Sequence, residues 1–439
     1  MSLAERLTGG DRPNGNGEAR ARVRARLVEE FGPKLVDDGV ADHVLQDVIR
    51  RRLGELLDEE DAPLSRRDKA AIIQEVTDDV IGLGPLDTFL RDPEVTEIMV
   101  NNAESIYVKR GDKVYWTGAK FFNEDHLRTT IEKIIGRVGR RLDESSPYVE
   151  ARMPDGSWVN AIIPPLALDG AVLTIRKFSQ DLYTTDDLVS FGTMTSTVAQ
   201  FLDACVQGRI NVLVSGTTET GRTTTLNALA SFVPDAERII TIEDAAELRL
   251  QQPNVIRLQA RAADVEGKGE ISVRDLTRQA LRMRPSRVVL GELRAGEALE
   301  MLRAIHTGLD GWITTVYANS PRDALARVEA MIRMAGMELS PRGIRQQVAS
   351  GIHVIVHQTR MKDGSRRVTH VTEVLGTEGD TIRLEDIFVL EFKGYDKQGR
   401  FQGELKPTGA RPRFLDVLRD RAIYLPPALL MQNDRGLGW

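Results

Sequence analysis

Residues 214–224, Val-Ser-Gly-Thr-Thr-Glu-Thr-Gly-Arg-Thr-Thr, constrain this chain more than any other stretch. Gly216, Gly221 and Thr223 fall on the pattern G-x-x-x-x-G-K-[S/T] of a phosphate-binding loop, which needs a buried strand before it and a helix after it. Apolar residues 210–214 supply the strand and residues 224–232 the helix. In such a loop, backbone N–H groups at a helix N-terminus form a nest for phosphate oxygens. A lysine adds a mobile positive charge and a hydroxyl holds magnesium. Two positions depart from the pattern: Arg222 stands where the lysine belongs, and Glu219 sits in the loop interior.

The rest of the chain is consistent with that beginning. Strand-like runs at 210–214, 238–242, 287–290 and 312–316 alternate with helical patterns, which predicts an α/β domain with a mostly parallel sheet and helices on its faces. Ahead of it, short alternating strands around 97–101, 105–109, 159–163 and 171–178 and one helix at 125–138 predict a compact α+β domain. The expected division is a disordered tail over 1–20, a helical segment over 21–84, the α+β domain over 85–178, a linker over 179–190, the α/β core over 191–350 and a hairpin and helical extension over 351–439. The first helical segment carries Leu35, Val40, Val44, Leu45 and Val48, then Ile72, Ile73, Val76, Val80 and Ile81, at helical spacing.

Composition excludes several classes. At 439 residues the chain can bury two or three cores, and its formal net charge of −6 argues against a general affinity for nucleic acid. The single cysteine, Cys205, rules out a disulfide framework and reads as a small apolar filler. No apolar run approaches the length of a membrane span, and the N-terminus has no signal-peptide core. The expectation is a soluble protein of a reducing compartment.

Three further segments carry chemistry-bearing residues. The strand at 238–242 delivers Glu243, Asp244 and Glu247 at its C-terminal end, where an α/β sheet binds ligands. Two readings fit: carboxylates that order magnesium or water, or a solvated acidic loop. The strand at 287–290 ends in Glu292, placed as the base that orients the attacking water, with Arg294 as phosphate sensor or as its ion-pair partner. The segment 307–323 holds Thr314, Thr315 and Asn319 around a strand and opens a capped helix at Ser320-Pro321. Glu292, Glu243 and Arg222 are the candidate catalytic residues, and Thr223, Glu243 and Glu292 the candidate ligands of Mg2+. Gly216, Thr217, Thr218, Glu219, Thr220, Gly221, Arg222, Thr223, Thr224, Asp244, Glu247 and Arg294 are the candidate contacts of ATP.

With these motifs, the chain resembles the secretion-ATPase superfamily of type II and type IV secretion and type IV pili, and within it the CpaF/TadA branch of tight-adherence (Flp-type) pili. The resemblance spans about residues 60–390. It rests on strings such as Gly139-Arg-Arg-Leu-Asp-Glu-Ser-Ser-Pro147, Thr241-Ile-Glu-Asp-Ala-Ala-Glu-Leu248, Ala280-Leu-Arg-Met-Arg-Pro285 and Ala318-Asn-Ser-Pro-Arg-Asp-Ala324. It implies a hexameric ring of subunits, each a PAS-like N-domain and a RecA-like motor domain with ATP at their junction. Hydrolysis would then drive inner-membrane platform proteins from the cytoplasmic face of the membrane. It also implies that Glu243, Asp244 and Glu247 form an acidic box, that Glu292 is the catalytic glutamate, and that Arg152 and Arg176 reach phosphates from the N-domain.

Departures from the family pattern cluster at the chemistry. Thr217, Glu219 and Arg222 replace residues of a loop that reads Gly-Gly-Thr-Gly-Ser-Gly-Lys-Thr from the position of Gly216, and Leu309 and Tyr317 stand where histidines are usual. Trp158 replaces an arginine. A carboxylate ~4 Å from a phosphate charge costs on the order of 4 kcal/mol at an effective dielectric of ~20, roughly a 10³-fold loss of affinity. Arg222 cannot place a compact charge as lysine does. The sequence therefore suggests that Glu219 and Arg222 pair with each other and partly close the nest. It leaves two readings of function. One is a working but slow ATPase subunit in a homo-hexameric ring. The other is a non-hydrolysing scaffold or regulator of the same machine, which would share a mixed ring with an active paralogue.

Overall fold

The computed structural model describes residues 26, 42–59, 65–80, 82–111, 113–153, 155–178, 183–261, 263, 268–336 and 339–431. The expected tail at 1–20, the helical positions Leu35, Val40 and Ile81, and residues 179–182 of the expected linker lie outside them. The chain divides into two compact units, residues 1–179 and 180–439.

In the first unit, helices α1 (Asp42–Glu59) and α2 (Arg66–Val80) face each other. The buried stripe of α1 is Ile49, Leu53, Leu56 and Leu57, whereas Val48 is exposed. A short helix α3 (Leu86–Arg91) leads into strands β1 (Val95–Asn102), β2 (Ser105–Arg110) and β3 (Lys113–Trp116). Helix α4 (Glu124–Arg137) follows, capped by Asn123, whose side chain accepts from the His126 N–H. Strands β4 (Tyr148–Arg152), β5 (Trp158–Ile162) and β6 (Val172–Arg176) complete an antiparallel sheet in the order β3-β2-β1-β6-β5-β4. Leu127, Ile131, Ile134 and Ile135 of α4 share its core with Ile98 and Val100 of β1 and Leu173 and Ile175 of β6.

The second unit begins with α5 (Thr185–Ser190) and α6 (Ser196–Gln207). Residues expected as linker are thus helical from 185: Thr184 and Asp187 form a reciprocal capping box, a local signal that polar composition had masked. Strand β7 (Val212–Gly216) precedes the loop, and α7 (Arg222–Ala230) follows it. Then come β8 (Ile239–Glu243), β9 (Val255–Gln259), α8 (Val273–Leu281), β10 (Arg287–Leu293), α9 (Glu297–His306), β11 (Ile313–Tyr317), α10 (Pro321–Met334) and α11 (Pro341–Gly351). Strands β12 (Val354–Arg360), β13 (Arg366–Glu378), β14 (Thr381–Tyr395) and β15 (Phe401–Pro407) and helix α12 (Leu415–Asp420) close the unit.

One sheet of nine strands runs β15-β14-β13-β12-β7-β11-β10-β8-β9. From β12 to β9 all pairings are parallel, and from β12 to β15 antiparallel. Its central strands are buried on both faces, so they read as continuous apolar runs. Val212 and Val214 of β7 join Phe201, Leu202, Leu226 and Leu229 on one side. Leu213 points the other way, into a core with Leu299, Leu302, Val328 and Ile344. The stretch after residue 350 forms the expected hairpin, β12 antiparallel to β13, and joins it to the core sheet: β12 lies beside β7, with Val356 opposite Val214 and Gln358 opposite Gly216.

Candidate active site

Four parallel strands end together on one edge of the sheet, the crevice where such folds place ligands. Gly216 ends β7, Tyr317 ends β11, Glu243 ends β8, and Glu292 is the penultimate residue of β10.

The base of the phosphate-binding loop is fixed by buried, neutral hydrogen bonds. Ser215 Oγ lies 2.9 Å from His357 Nδ1. Burial, reinforced by nearby His370, pushes the His357 pKa down to about 4, so the ring is neutral. Gln358 Nε2 donates to Thr225 Oγ1 at 2.8 Å, tying β12 to the first turns of α7. Thr220 is buried and its hydroxyl donates to the Thr217 carbonyl at 2.8 Å. Only glycine fits at position 216: a Cβ there would meet Thr220 Oγ1 at 2.5 Å and the Gln358 carbonyl at 2.6 Å. Gly221, with φ +90°, turns the chain into α7. Glu219 also has a positive φ, +62°, a conformation that costs a non-glycine residue ~1 kcal/mol or more. The loop wants glycine there for a backbone reason as well as an electrostatic one.

Around this base the charged side chains form a network that differs from the expected one. Arg222 does not pair with Glu219. Its Nη1 lies 2.8 Å from Glu292 Oε1, an ionic contact without hydrogen-bond alignment. Its guanidinium carbon is also 5.6 Å from the centre of the Tyr317 ring, within cation–π range. Arg327 approaches the same ring at 4.7 Å. The other oxygen of Glu292, Oε2, accepts from Arg294 Nε at 2.7 Å, and Arg294 Nη1 donates to Asp244 at 2.8 Å. Arg294 thus makes the ion pair with Glu292 that was one of its two expected roles. Glu219 is held by Arg360 Nη1 at 2.6 Å, and its carbonyl accepts from Arg366 Nε at 2.9 Å.

Glu243 and Glu247 part company. Glu243 is buried, and its Oε2 accepts from the N–H groups of Glu247 and Leu248 at 2.7 and 2.9 Å. Its Oε1 is buried without a hydrogen-bond partner. Burial pushes the Glu243 pKa up to about 7, against the opposing pull of those two N–H groups. Glu247 is exposed. Thr217, Thr218, Thr223 and Thr224 stand in the loop and the first turn of α7, where the pattern put them. No cluster of three or more His, Cys, Asp or Glu suited to a metal ion occurs among the described residues.

Arg152 and Arg176 belong to the first unit. In register, Arg152 lies opposite Trp158 and Trp158 opposite Arg176, so the three form one row across β4, β5 and β6. Cross-strand partners share a face, and Trp158 therefore sits between the two arginines. Arg152 also donates to the Gly156 carbonyl at 3.0 Å and lies over the Phe178 ring.

Sequence reasoning missed Arg360, Arg366, His357 and Gln358. The signal was present as the basic run from Arg360 to Arg367 around a Lys-Asp-Gly turn, but only the pairing of β12 with β7 shows that this turn faces the loop.

The sequence matches the family model described as type II/IV secretion system protein over residues 79–379. A Mycobacterium tuberculosis (strain H37Rv) protein whose name assigns it to conjugal transfer is 34% identical over 307 residues, covering 69% of this chain and 87% of that protein. The type IV secretion system protein VirB11 of Bartonella henselae is 30% identical over 328 residues, covering 66% of this chain and 91% of that protein. Among solved structures, the VirB11 ATPase of the Brucella suis type IV secretion system in complex with sulphate is 27% identical. That match covers 65% of this chain and 94% of the other, with a TM-score of 0.37.

Proposed function

Because this chain belongs to the type II/IV secretion system ATPase superfamily, we propose that it is an ATP-binding subunit of a pilus-assembly or secretion machine, of the branch that serves tight-adherence pili, with slow hydrolysis. The loop from Gly216 to Thr224 receives the phosphates, and Thr223 and Glu292 suit Mg2+, which takes few ligands from protein and the rest from phosphate and water. When bound, the ion would neutralise charge on the terminal phosphates.

One observation carries the slow turnover: the 2.8 Å contact between Arg222 and Glu292. Glu292 has to orient a water and take up its proton. One of its oxygens faces Arg222 and the other Arg294, so an ion pair must open before the carboxylate can act as a base. The test is ATP turnover by the unmodified protein beside Arg222→Lys, whose compact ammonium reaches phosphate instead of gripping Glu292. We expect the variant to be faster by about ten-fold, a change of ~1.4 kcal/mol in the barrier. Turnover of about 10 s⁻¹ by the unmodified protein, a typical enzyme rate, would sink the proposal.

The Glu219 carboxylate on the loop favours a second reading, a scaffold that binds no nucleotide. Titration with a fluorescent ATP analogue and Mg2+ decides between them. Family membership supports the assembly we assign, a hexamer or a ring mixed with an active paralogue, working on platform proteins at the cytoplasmic face of the inner membrane. Among the described residues no helix is long and apolar enough to cross a membrane.

A further inference from the structure

The hairpin that joins β12 to β13 brings two guanidinium groups to the phosphate-binding loop. Arg360 Nη1 is 2.6 Å from Glu219 Oε2, with the two side chains 30% and 34% exposed. Arg366 donates to the Glu219 carbonyl at 2.9 Å. Its Cδ lies 3.1 Å from where a Cβ of Gly221 would be, so its stem lies along the start of α7. Arg360 therefore already binds an anion at the loop, and that anion is carried by the loop's own residue. Meanwhile Arg222, the residue at the lysine position, is committed to Glu292 and Tyr317. The residue at the lysine position faces Glu292, and a different cation, Arg360, is paired to the loop at Glu219.

We propose that Arg360 is a phosphate-binding residue for the nucleoside triphosphate of this site, and that the Glu219 carboxylate competes with the phosphate for it. The inference rests on the nucleotide-binding reading above and adds the residue that supplies the charge Arg222 withholds. A phosphate entering the nest repels Glu219 and attracts Arg360, so one ion pair is exchanged for another of higher charge. Guanidinium suits that exchange because its fork accepts carboxylate and phosphate alike. Arg366, held on the backbone of residue 219, positions the loop and is not part of the exchange.

A double-mutant cycle on the full chain separates this role from mere neutralisation of Glu219. The probe is a fluorescent N-methylanthraniloyl ATP with Mg2+, titrated into the unmodified protein, Glu219→Gly, Arg360→Gln and the double variant. Circular dichroism and thermal melting establish that each is folded. We expect Glu219→Gly to bind more tightly than the unmodified protein. The double variant should then bind about ten-fold more weakly than Glu219→Gly, the scale of one charge-assisted hydrogen bond. If Arg360 only neutralises Glu219, removing both leaves affinity equal to that of Glu219→Gly, and the assignment of Arg360 is overturned while nucleotide binding stands. If none of the four folded proteins binds the probe, the nucleotide-binding reading falls and this inference with it.

Discussion

The phosphate-binding loop has a base and a rim, and different forces hold them. At the base, Ser215, Gly216, Thr220, Gln358 and Thr225 are buried, and their contacts are neutral hydrogen bonds and close steric fits. At the rim, Glu219, Arg222, Glu292, Arg294 and Arg360 reach solvent and are joined by ion pairs, and Arg366 donates to the Glu219 carbonyl. Buried fits are specific, and leaving a buried donor or acceptor unpaired costs the full desolvation of that group. Exposed ion pairs are each worth ~0–1 kcal/mol and can be exchanged. The base therefore fixes the geometry of the loop, while the rim can carry Glu219 and Arg222 without loss of the fold. Residues 219 and 222 thus bear on the chemistry of the loop rather than on its folding.

The largest effect expected from this contrast is at the base. Gly216→Ala should destabilise the protein by about 3 kcal/mol or more, because the new Cβ meets a backbone carbonyl that cannot move aside. Thermal melting and nucleotide titration should fail together. A stable variant would show that the base is as tolerant as the rim.

Next is Glu243, which lies at the same sheet edge but behaves like the base. Its folded pKa of about 7 stands above its ordinary 4.5. Protonation therefore favours the folded state: the contribution is fully present below about pH 4.5 and is lost as pH rises toward 7. Glu243→Gln removes this dependence and keeps an oxygen for the N–H groups of Glu247 and Leu248. Relative to the unmodified protein, the variant should gain about 2 kcal/mol between about pH 5 and about pH 8, as read by urea unfolding. A gap that does not change with pH would show that Glu243 is charged in the fold. Ser215→Ala is smaller still. It removes one hydrogen bond from neutral His357 and should cost ~1 kcal/mol in the same assay.

How much of this was legible in the sequence follows the same division. Strands β7, β8, β10 and β11 stood out because strands buried on both faces are continuous apolar runs. Strand β9, Val-Ile-Arg-Leu-Gln, went unseen: it lies at the sheet's end with no fully buried residue, so it has no such run. The loop's glycines were legible because their role is local. The ion pairs were not. Glu219 and Arg360 are 141 residues apart in the chain, and the local guess, Glu219 with Arg222, failed because two long-range partners compete for them. Position 292 was legible as a strand-end carboxylate. That both its oxygens face arginines was not, since this depends on β10 and the start of α7 sharing one sheet edge.

The smallest expected effect is the most discriminating. In Glu219→Gly three stability contributions oppose one another. Relief of the left-handed backbone at φ +62° contributes ~1–2 kcal/mol. The added freedom of glycine in the unfolded chain removes ~0.5–1 kcal/mol. Loss of the pair with Arg360, both side chains about a third exposed, removes ~0–1 kcal/mol. The net change in unfolding free energy should fall around zero, between about −1 and about +1.5 kcal/mol, while nucleotide affinity rises. A change above ~2 kcal/mol in urea unfolding would mean that the rim holds the fold as the base does. A stability near that of the unmodified protein with tighter nucleotide binding would mean that Glu219 acts on the ligand alone. Position 219 would then be where this chain sets its affinity for ATP without touching its architecture.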